Sequence, residues 1–219
     1  MTDTRLRGLY AITDARETDP QKIARAVEQA LLGGARIVQF RDKSDHRPRR
    51  QQTAQALRQL TRRHHALLII NDDVELAAHS EADGVHIGQH DTDLTEARSQ
   101  LGADALIGVS CYNQFQLARQ AAQAGADYIA FGRFFPSTTK PDAVPASLDL
   151  IHKAKQELDI PVVAIGGITA DNAAPLIEAG ADMLAVVDGL FSRPDVCASA
   201  EQFQKLFIHH RDTEHTEAP

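Results

Sequence analysis

Asp72 and Asp91 are the residues whose type and placement first suggest chemistry. Asp72 stands in Asn71-Asp72-Asp73, directly after the apolar run 66–70, and Asp91 lies just past Gly84-Val85-His86-Ile87-Gly88. Their separation in sequence means little by itself. Each, however, follows a strand-like run, and in a parallel barrel the C-terminal strand ends lie together at one mouth, where active sites are built. Two carboxylates there suit a hard cation such as Mg²⁺, which takes one or two carboxylates and fills its shell with water and phosphate oxygens. Asp is also a favoured helix N-cap, so capping of the two helices that follow stays open as the alternative.

A second set lies on and after the run 35–41. Side chains alternate along a strand, so Val38 and Phe40 share one face and Gln39, Arg41 and Lys43 share the other. The apolar pair suits packing against outer helices, which turns Gln39, Arg41 and Lys43 toward the barrel axis. Two cations on that face call for an anion, because unpaired buried charge is costly. Pairing with Asp42 and Asp45 on a solvated turn is the alternative. Residues 131–141 place Ser137, Thr138 and Thr139 before Lys140, good material for holding phosphate oxygens, although hydroxyl-rich turns are also common. Gly166-Gly167 before Thr169 exposes backbone N–H groups at an expected helix start, where barrels often bind phosphate after strands 7 and 8. His86 reads as a hydrogen-bonded core histidine, with an axis-lining role as the alternative. Cys111 reads as packing.

These residues need a scaffold that gathers strand ends. Eight β-like runs stand at 8–13, 35–41, 66–70, 84–88, 106–110, 127–132, 161–167 and 183–189. Helical segments alternate with them at 20–32, 47–64, from 74, 94–101, 114–124, 147–158, 169–179 and 195–207. Alternation implies a parallel sheet, and eight units in 219 residues imply an α/β fold, a single (β/α)₈ TIM barrel. Pro20 opens the first helix at a favoured early position, and Asn113 is placed to cap the fifth. Gly33-Gly34-Ala35 and the two Ala-Gly-Ala-Asp phrases at 124–127 and 179–182 put Gly where a helix yields to a strand. The barrel is expected to span 1–207, with 208–219 a flexible tail.

Composition narrows the partners. A formal net charge of -7 argues against bulk attraction to nucleic acid. No apolar run approaches a membrane span, and the N-terminus lacks a signal-peptide pattern. Two cysteines, Cys111 and Cys197, suit a reduced cytoplasmic protein. The expected partners are small phosphorylated molecules, not nucleic acid or membrane, with homo-oligomer formation left open.

Taken together, QFRDK (39–43), NDD (71–73), GVHIGQHD (84–91), GVS (108–110), FPSTTK (135–140) and AIGGIT (164–169) resemble the thiamine-phosphate synthase family. They fall in family order at successive strand ends. The resemblance implies a transferase that joins a pyrimidine diphosphate to a thiazole phosphate, giving thiamine phosphate and pyrophosphate. It assigns Gln39, Phe40, Arg41, Asp42, Lys43, Asn71, Ser110 and Lys140 to the pyrimidine diphosphate, with Arg41, Lys43 and Lys140 as catalytic cations. Asp72 and Asp91 would bind Mg²⁺, while Ser137, Thr138, Thr139, Gly167, Val187 and Asp188 would hold the thiazole phosphate. In the implied dissociative mechanism no side-chain nucleophile is needed, which fits the absence of a readable triad.

Three positions depart from the family pattern. Arg133 replaces a frequent proline, Ser137 a usual threonine, and Asp188 a frequent serine beside the thiazole phosphate. Like charges about 4 Å apart repel by roughly 1–4 kcal/mol, so the Asp188 carboxylate is expected to turn away, capping the next turn or pairing with Arg193 or Arg133. Two rivals are a thiazole tautomerase of the same fold and a non-catalytic binder of phosphate ligands. Neither calls for Asp72 and Asp91 together with Arg41, Lys43 and Lys140.

Overall fold

The computed structural model describes residues 4–136 and 144–216, with side chains to 209. Eight parallel strands close into a barrel in sequence order: β1 (Gly8–Ile12), β2 (Ile37–Phe40), β3 (Leu67–Asn71), β4 (Gly84–Ile87), β5 (Leu106–Ser110), β6 (Tyr128–Gly132), β7 (Val162–Ile165) and β8 (Met183–Val186). The helices are α1 (Pro20–Leu32), α2 (Arg47–Arg63), α3 (Val74–His79), α4 (Leu94–Leu101), α5 (Phe115–Gln123), α6 (Leu148–Glu157), α7 (Ala174–Glu178), α8 (Asp188–Phe191) and α9 (Val196–Thr216). This is the (β/α)₈ barrel that the alternation predicts.

Strand parity sorts the core into two layers. Outward residues such as Leu9, Val38, Phe40, Leu68, Ile70 and Val85 pack beneath the helices. Inward residues, among them Tyr10, Ile37, Leu67, Ile69, Leu106, Tyr128, Val163 and Met183, fill the barrel. Gly108 is inward as well, and a Cβ there would lie 2.0 Å from Tyr128 Cζ. A strand glycine lacks packing surface; here it makes room for a buried phenol ring.

Local boundaries follow capping chemistry. Asp19 caps α1 by accepting from Gln21 N at 2.9 Å, with Pro20 in the first turn. Gly34, Gly125 and Gly180 all take positive φ after their helices, as the recurring Gly phrases predict. Asn113 does not cap α5: its Nδ2 donates instead to Pro145 O at 3.3 Å, and no side chain caps that helix. The α7 helix begins at Ala174 rather than at 169, because the Asn172 side chain ties residues 167–172 into a turn, accepting from Thr169 N at 2.9 Å and donating to Gly167 O at 3.0 Å. The short α8 has no counterpart in the sequence reading, and α9 continues to Thr216, past the expected 207.

At the opposite end from the mouth, three aspartates repeat one arrangement. Asp83, Asp127 and Asp182 each precede an even-numbered strand and accept through Oδ2 from the backbone N–H of Leu68, Ile107 and Val162, at 2.7, 2.7 and 2.8 Å. The same oxygens pair with Arg58, Arg98 and Lys155 from α2, α4 and α6 at 2.6, 2.6 and 2.8 Å. Each carboxylate thus joins the start of one strand to its neighbour and to an outer helix. No helix among the described residues is long and apolar enough to cross a membrane.

Candidate active site

A cavity of about 330 Å³ opens at the C-terminal ends of the strands. Its wall combines Gln39 and Arg41 at the end of β2, Asn71 of β3, His86 of β4 and Ser110 of β5 with Gly167, Val187 and Asp188 after β7 and β8. Apolar Ile12, Ala130, Val163, Ile165 and Ala185 supply the floor between these polar flanks. The parity argument on β2 therefore holds: Gln39 and Arg41 face the mouth, while Val38 and Phe40 lie in the outer core.

Two residues implied by the resemblance sit elsewhere. The Phe40 side chain is buried under the helices, so only its backbone belongs to the strand end. Asp42 is turned into its own loop, accepting from Ser44 N at 2.8 Å and from Arg49 Nη2 at 3.4 Å. Burial raises its pKa, but the hydrogen bonds from Ser44 and the charge of Arg49 outweigh burial and hold the carboxyl below its ordinary value. Neither side chain lines the cavity. The assignments to Ser137, Thr138, Thr139 and Lys140 lie outside the described residues.

Lys43, Asp72 and Asp91 are likewise outside the cavity wall; just past the ends of β2 and β3, Lys43 pairs with Asp72 rather than with Asp42 or Asp45. Asn71 Nδ2 donates to the same Asp72 oxygen at 2.6 Å, and Asp91 lies within hydrogen-bond reach of Asp72. Capping falls to their neighbours instead: Asp73 caps α3 and Asp93 caps α4. Burial raises the Asp72 pKa, yet hydrogen bonds from Lys43 and Asp91 bring it below its ordinary value. Asp91 is raised, first by burial and then by the Asp72 carboxylate, against the opposing hydrogen bond from Gly88 N at 2.8 Å. Two adjacent carboxyls, one of them held below its ordinary pKa and the other raised by its neighbour, form with Asn71 alongside an oxygen donor set that a hard divalent cation fits. Among the described residues no three His, Cys, Asp or Glu side chains converge as a metal-binding group.

Deeper in the barrel, His86 satisfies both readings of it. It is buried, yet it lines the cavity, with Nδ1 3.2 Å from Tyr128 Oη and Nε2 2.9 Å from Ser110 Oγ. Tyr128 Oη lies 2.8 Å from Tyr10 Oη, which accepts from Gln39 Nε2 at 2.8 Å. The sequence reading missed both tyrosines. Their inward parity on β1 and β6 was a usable signal, because a buried phenol needs a partner for its hydroxyl. Cys111 is fully buried, and burial pushes its thiol up to about 12, as a packing role requires.

On the other flank, Gly167 has φ 65° and packs so closely that a Cβ would meet Pro136 O at 2.3 Å. The Asp188 carboxylate pairs with Arg16 from the loop after β1 and accepts from Ser192 Oγ at 3.1 Å. It therefore engages the next turn and a cation, as expected, but the cation is Arg16 instead of Arg193 or Arg133. Arg16 was not among the sequence candidates.

The family described as thiamine monophosphate synthase matches residues 9–190. Among curated proteins, the thiamine-phosphate synthase of Thioalkalivibrio sulfidiphilus is 54% identical over 94% of this chain and 99% of its own. That of Nitrosococcus oceani is 50% identical over 92% of this chain and 93% of its own. Among solved structures, a thiamine phosphate pyrophosphorylase from Pyrococcus furiosus superposes with a TM-score of 0.85 at 35% identity, covering 94% of this chain and 98% of that one.

Proposed function

The chain belongs to the thiamine monophosphate synthase family, transferases of thiamine biosynthesis, and from that premise we infer which part of the cavity serves each half of the reaction. The pyrimidine diphosphate lies on the β2–β5 flank, against Gln39, Arg41, Asn71 and Ser110, with its diphosphate toward the rim. The thiazole phosphate lies on the β7–β8 flank, against Gly167, Val187 and Asp188. The observation that carries this reading is the cavity between those two polar flanks, with the Lys43–Asp72–Asp91 cluster in the loops just past the ends of β2, β3 and β4.

The methylene–oxygen bond of the pyrimidine substrate breaks with its electron pair leaving on the diphosphate, and the aminopyrimidine ring carries the cation that forms. The thiazole nitrogen lone pair then closes the new carbon–nitrogen bond. No proton has to move, so the protein needs no general base. Its task is electrostatic. Arg41 and Lys43 offset charge as it develops on the leaving group, and Lys140 joins them by family resemblance. Asp72 and Asp91 would hold Mg²⁺, which when bound supplies further positive charge to the departing oxygens. The apolar floor keeps water from the cationic carbon, and Thr13 fixes the Arg41 backbone by accepting from its N–H at 2.9 Å.

Incubation with both substrates and Mg²⁺, with and without chelator, should yield thiamine phosphate and pyrophosphate by mass detection only when the metal is free. A folded protein that forms neither product across a Mg²⁺ titration would overturn the reading.

A further inference from the structure

Building on that placement of the pyrimidine, we infer that Tyr10 and Tyr128 are positioning residues, whose paired hydroxyls fix the hydrogen-bonding face that Gln39 and Ser110 turn toward the ring. Gln39, Tyr10, Tyr128, His86 and Ser110 form one continuous chain beneath the cavity, with successive separations of 2.8, 2.8, 3.2 and 2.9 Å. All of its members but Tyr128 line the cavity, Gln39 and Ser110 as its two ends, and both phenol side chains are buried. Burial raises the pKa of each tyrosine, so both hydroxyls keep their hydrogens and each can donate once.

Proton counting gives the chain a direction. Gln39 donates to the Tyr10 oxygen, so the Tyr10 hydrogen goes to Tyr128 and the Tyr128 hydrogen to His86 Nδ1. A neutral His86 that accepts at Nδ1 carries its proton on Nε2 and donates to Ser110 Oγ, leaving the serine hydrogen for the cavity. Reversed, with Gln39 still donating, Tyr10 would receive from both sides and its own hydrogen would be aimed at two donors. A buried hydroxyl hydrogen in that position is costly. The forward direction presents the Gln39 carbonyl oxygen as an acceptor and the Ser110 hydroxyl as a donor. An aminopyrimidine has the complement, an exocyclic N–H beside a ring nitrogen acceptor. A ring with oxygen in place of the amino group, and hydrogen on the adjacent nitrogen, has the opposite pattern and would need the whole chain inverted.

The stacking of His86 on Tyr128, with centroids 5.6 Å apart and planes 22° apart, holds the imidazole in register with this chain. Tyr10 meets Tyr128 edge-on at 6.0 Å, and Gly108 leaves the space that Tyr128 occupies. These contacts survive replacement of either tyrosine by phenylalanine, which removes the hydroxyl alone.

Nitrogen-15 NMR of the substrate-free protein, with His86 identified by its loss in His86→Asn, should show hydrogen on Nε2 and none on Nδ1. Tyr128→Phe should change that into a mixture of tautomers. In kinetics, Tyr10→Phe and Tyr128→Phe should each raise KM for the aminopyrimidine diphosphate about ten-fold, leave KM for the thiazole phosphate unchanged, and narrow the preference for the amino ring over its oxo analogue. Should Tyr128→Phe fail to fold, Tyr10→Phe still carries the kinetic test. A native His86 protonated on Nδ1 would overturn the inference. So would folded variants with native KM and native selectivity. The NMR result stands whether or not thiamine phosphate is the product, so it separates this inference from the functional reading it builds on.

Discussion

Arg16, in the loop after β1, donates to Asp188 at the start of α8, joining two neighbouring strand ends whose loops are 172 residues apart in sequence. Asp14 holds the same guanidinium, with its two oxygens 2.8 and 2.9 Å from Arg16 Nε and one of them 2.6 Å from the Nη2 that also meets Asp188. Its carboxyl lies below the ordinary value, first because of the Arg16 hydrogen bond. The Asp188 charge is thus engaged by a cation, so a carboxylate can stand beside a proposed phosphate site without facing the phosphate as a bare like charge.

Asp188→Ser should therefore change KM for the thiazole phosphate only a few-fold, because the carboxylate is already paired with Arg16 and water screens that partly exposed pair. Gly167→Ala should raise it much further. Alanine at φ 65° is strained, and its Cβ would collide with Pro136 O and Phe135 O. Steady-state kinetics with the thiazole phosphate as varied substrate decides the order. A serine variant that binds orders of magnitude more tightly would mean that the carboxylate does face the phosphate.

Asp72→Asn and Asp91→Asn should each lose most Mg²⁺-dependent turnover while melting near the native temperature. Each change removes one carboxylate from the pair while keeping its size. The readout is rate against Mg²⁺ concentration, alongside a thermal melt. Near-native rate at limiting Mg²⁺ in either variant would remove that residue from the proposed metal site.

Where the sequence was legible, burial explains why. Strands β1 to β8 are apolar on both faces because helices cover one side and barrel packing the other, so their number and order could be read directly. The inward turn of Gln39 and Arg41 followed from the same alternation. Lys43 was predicted to meet an anion, but its partner Asp72 comes from the next strand end, and alternation along one strand is silent on that. The Tyr10–Tyr128 contact spans 118 residues, and Arg16–Asp188 more. Such pairs depend on barrel closure and register, which no local pattern carries. The delayed start of α7 rests on the two side-chain bonds of Asn172, which compete with helix propensity.

Cys111 should resist alkylation. A thiol pushed up to about 12 is only about one part in ten thousand thiolate at pH 8, and the fraction rises ten-fold per pH unit below that value. Cys197 is partly exposed. Brief treatment of the folded protein with iodoacetamide, followed by peptide mass analysis, should find label on Cys197 and little on Cys111 until denaturant is added. Equal labelling in the native state would contradict the packing assigned to Cys111.

The three aspartate clamps at the far end of the barrel should set stability and leave catalysis alone, since the lower face of such barrels serves the fold and the upper face the reaction. Removing any one carboxylate leaves a strand N–H and a helix cation without it, a loss of about 1–3 kcal/mol. For a chain of this length that lowers Tm by roughly 2–4 °C per kcal/mol. The three sites are not equal. The Arg58–Asp83 side chains are 15% and 17% exposed, Arg98–Asp127 25% and 31%, and Lys155–Asp182 37% and 28%. Water screens the more exposed pairs, and a lysine lacks the planar fork with which arginine holds a carboxylate. Asp83→Ala should therefore cost the most, Asp127→Ala less and Asp182→Ala least, with kcat/KM unchanged in all three. Thermal melts and kinetics on the same samples test this. Equal losses would show that the backbone N–H bond, common to all three, dominates over the ion pair. A fall in kcat/KM at native Tm would mean that the clamps reach the mouth through the strands they join.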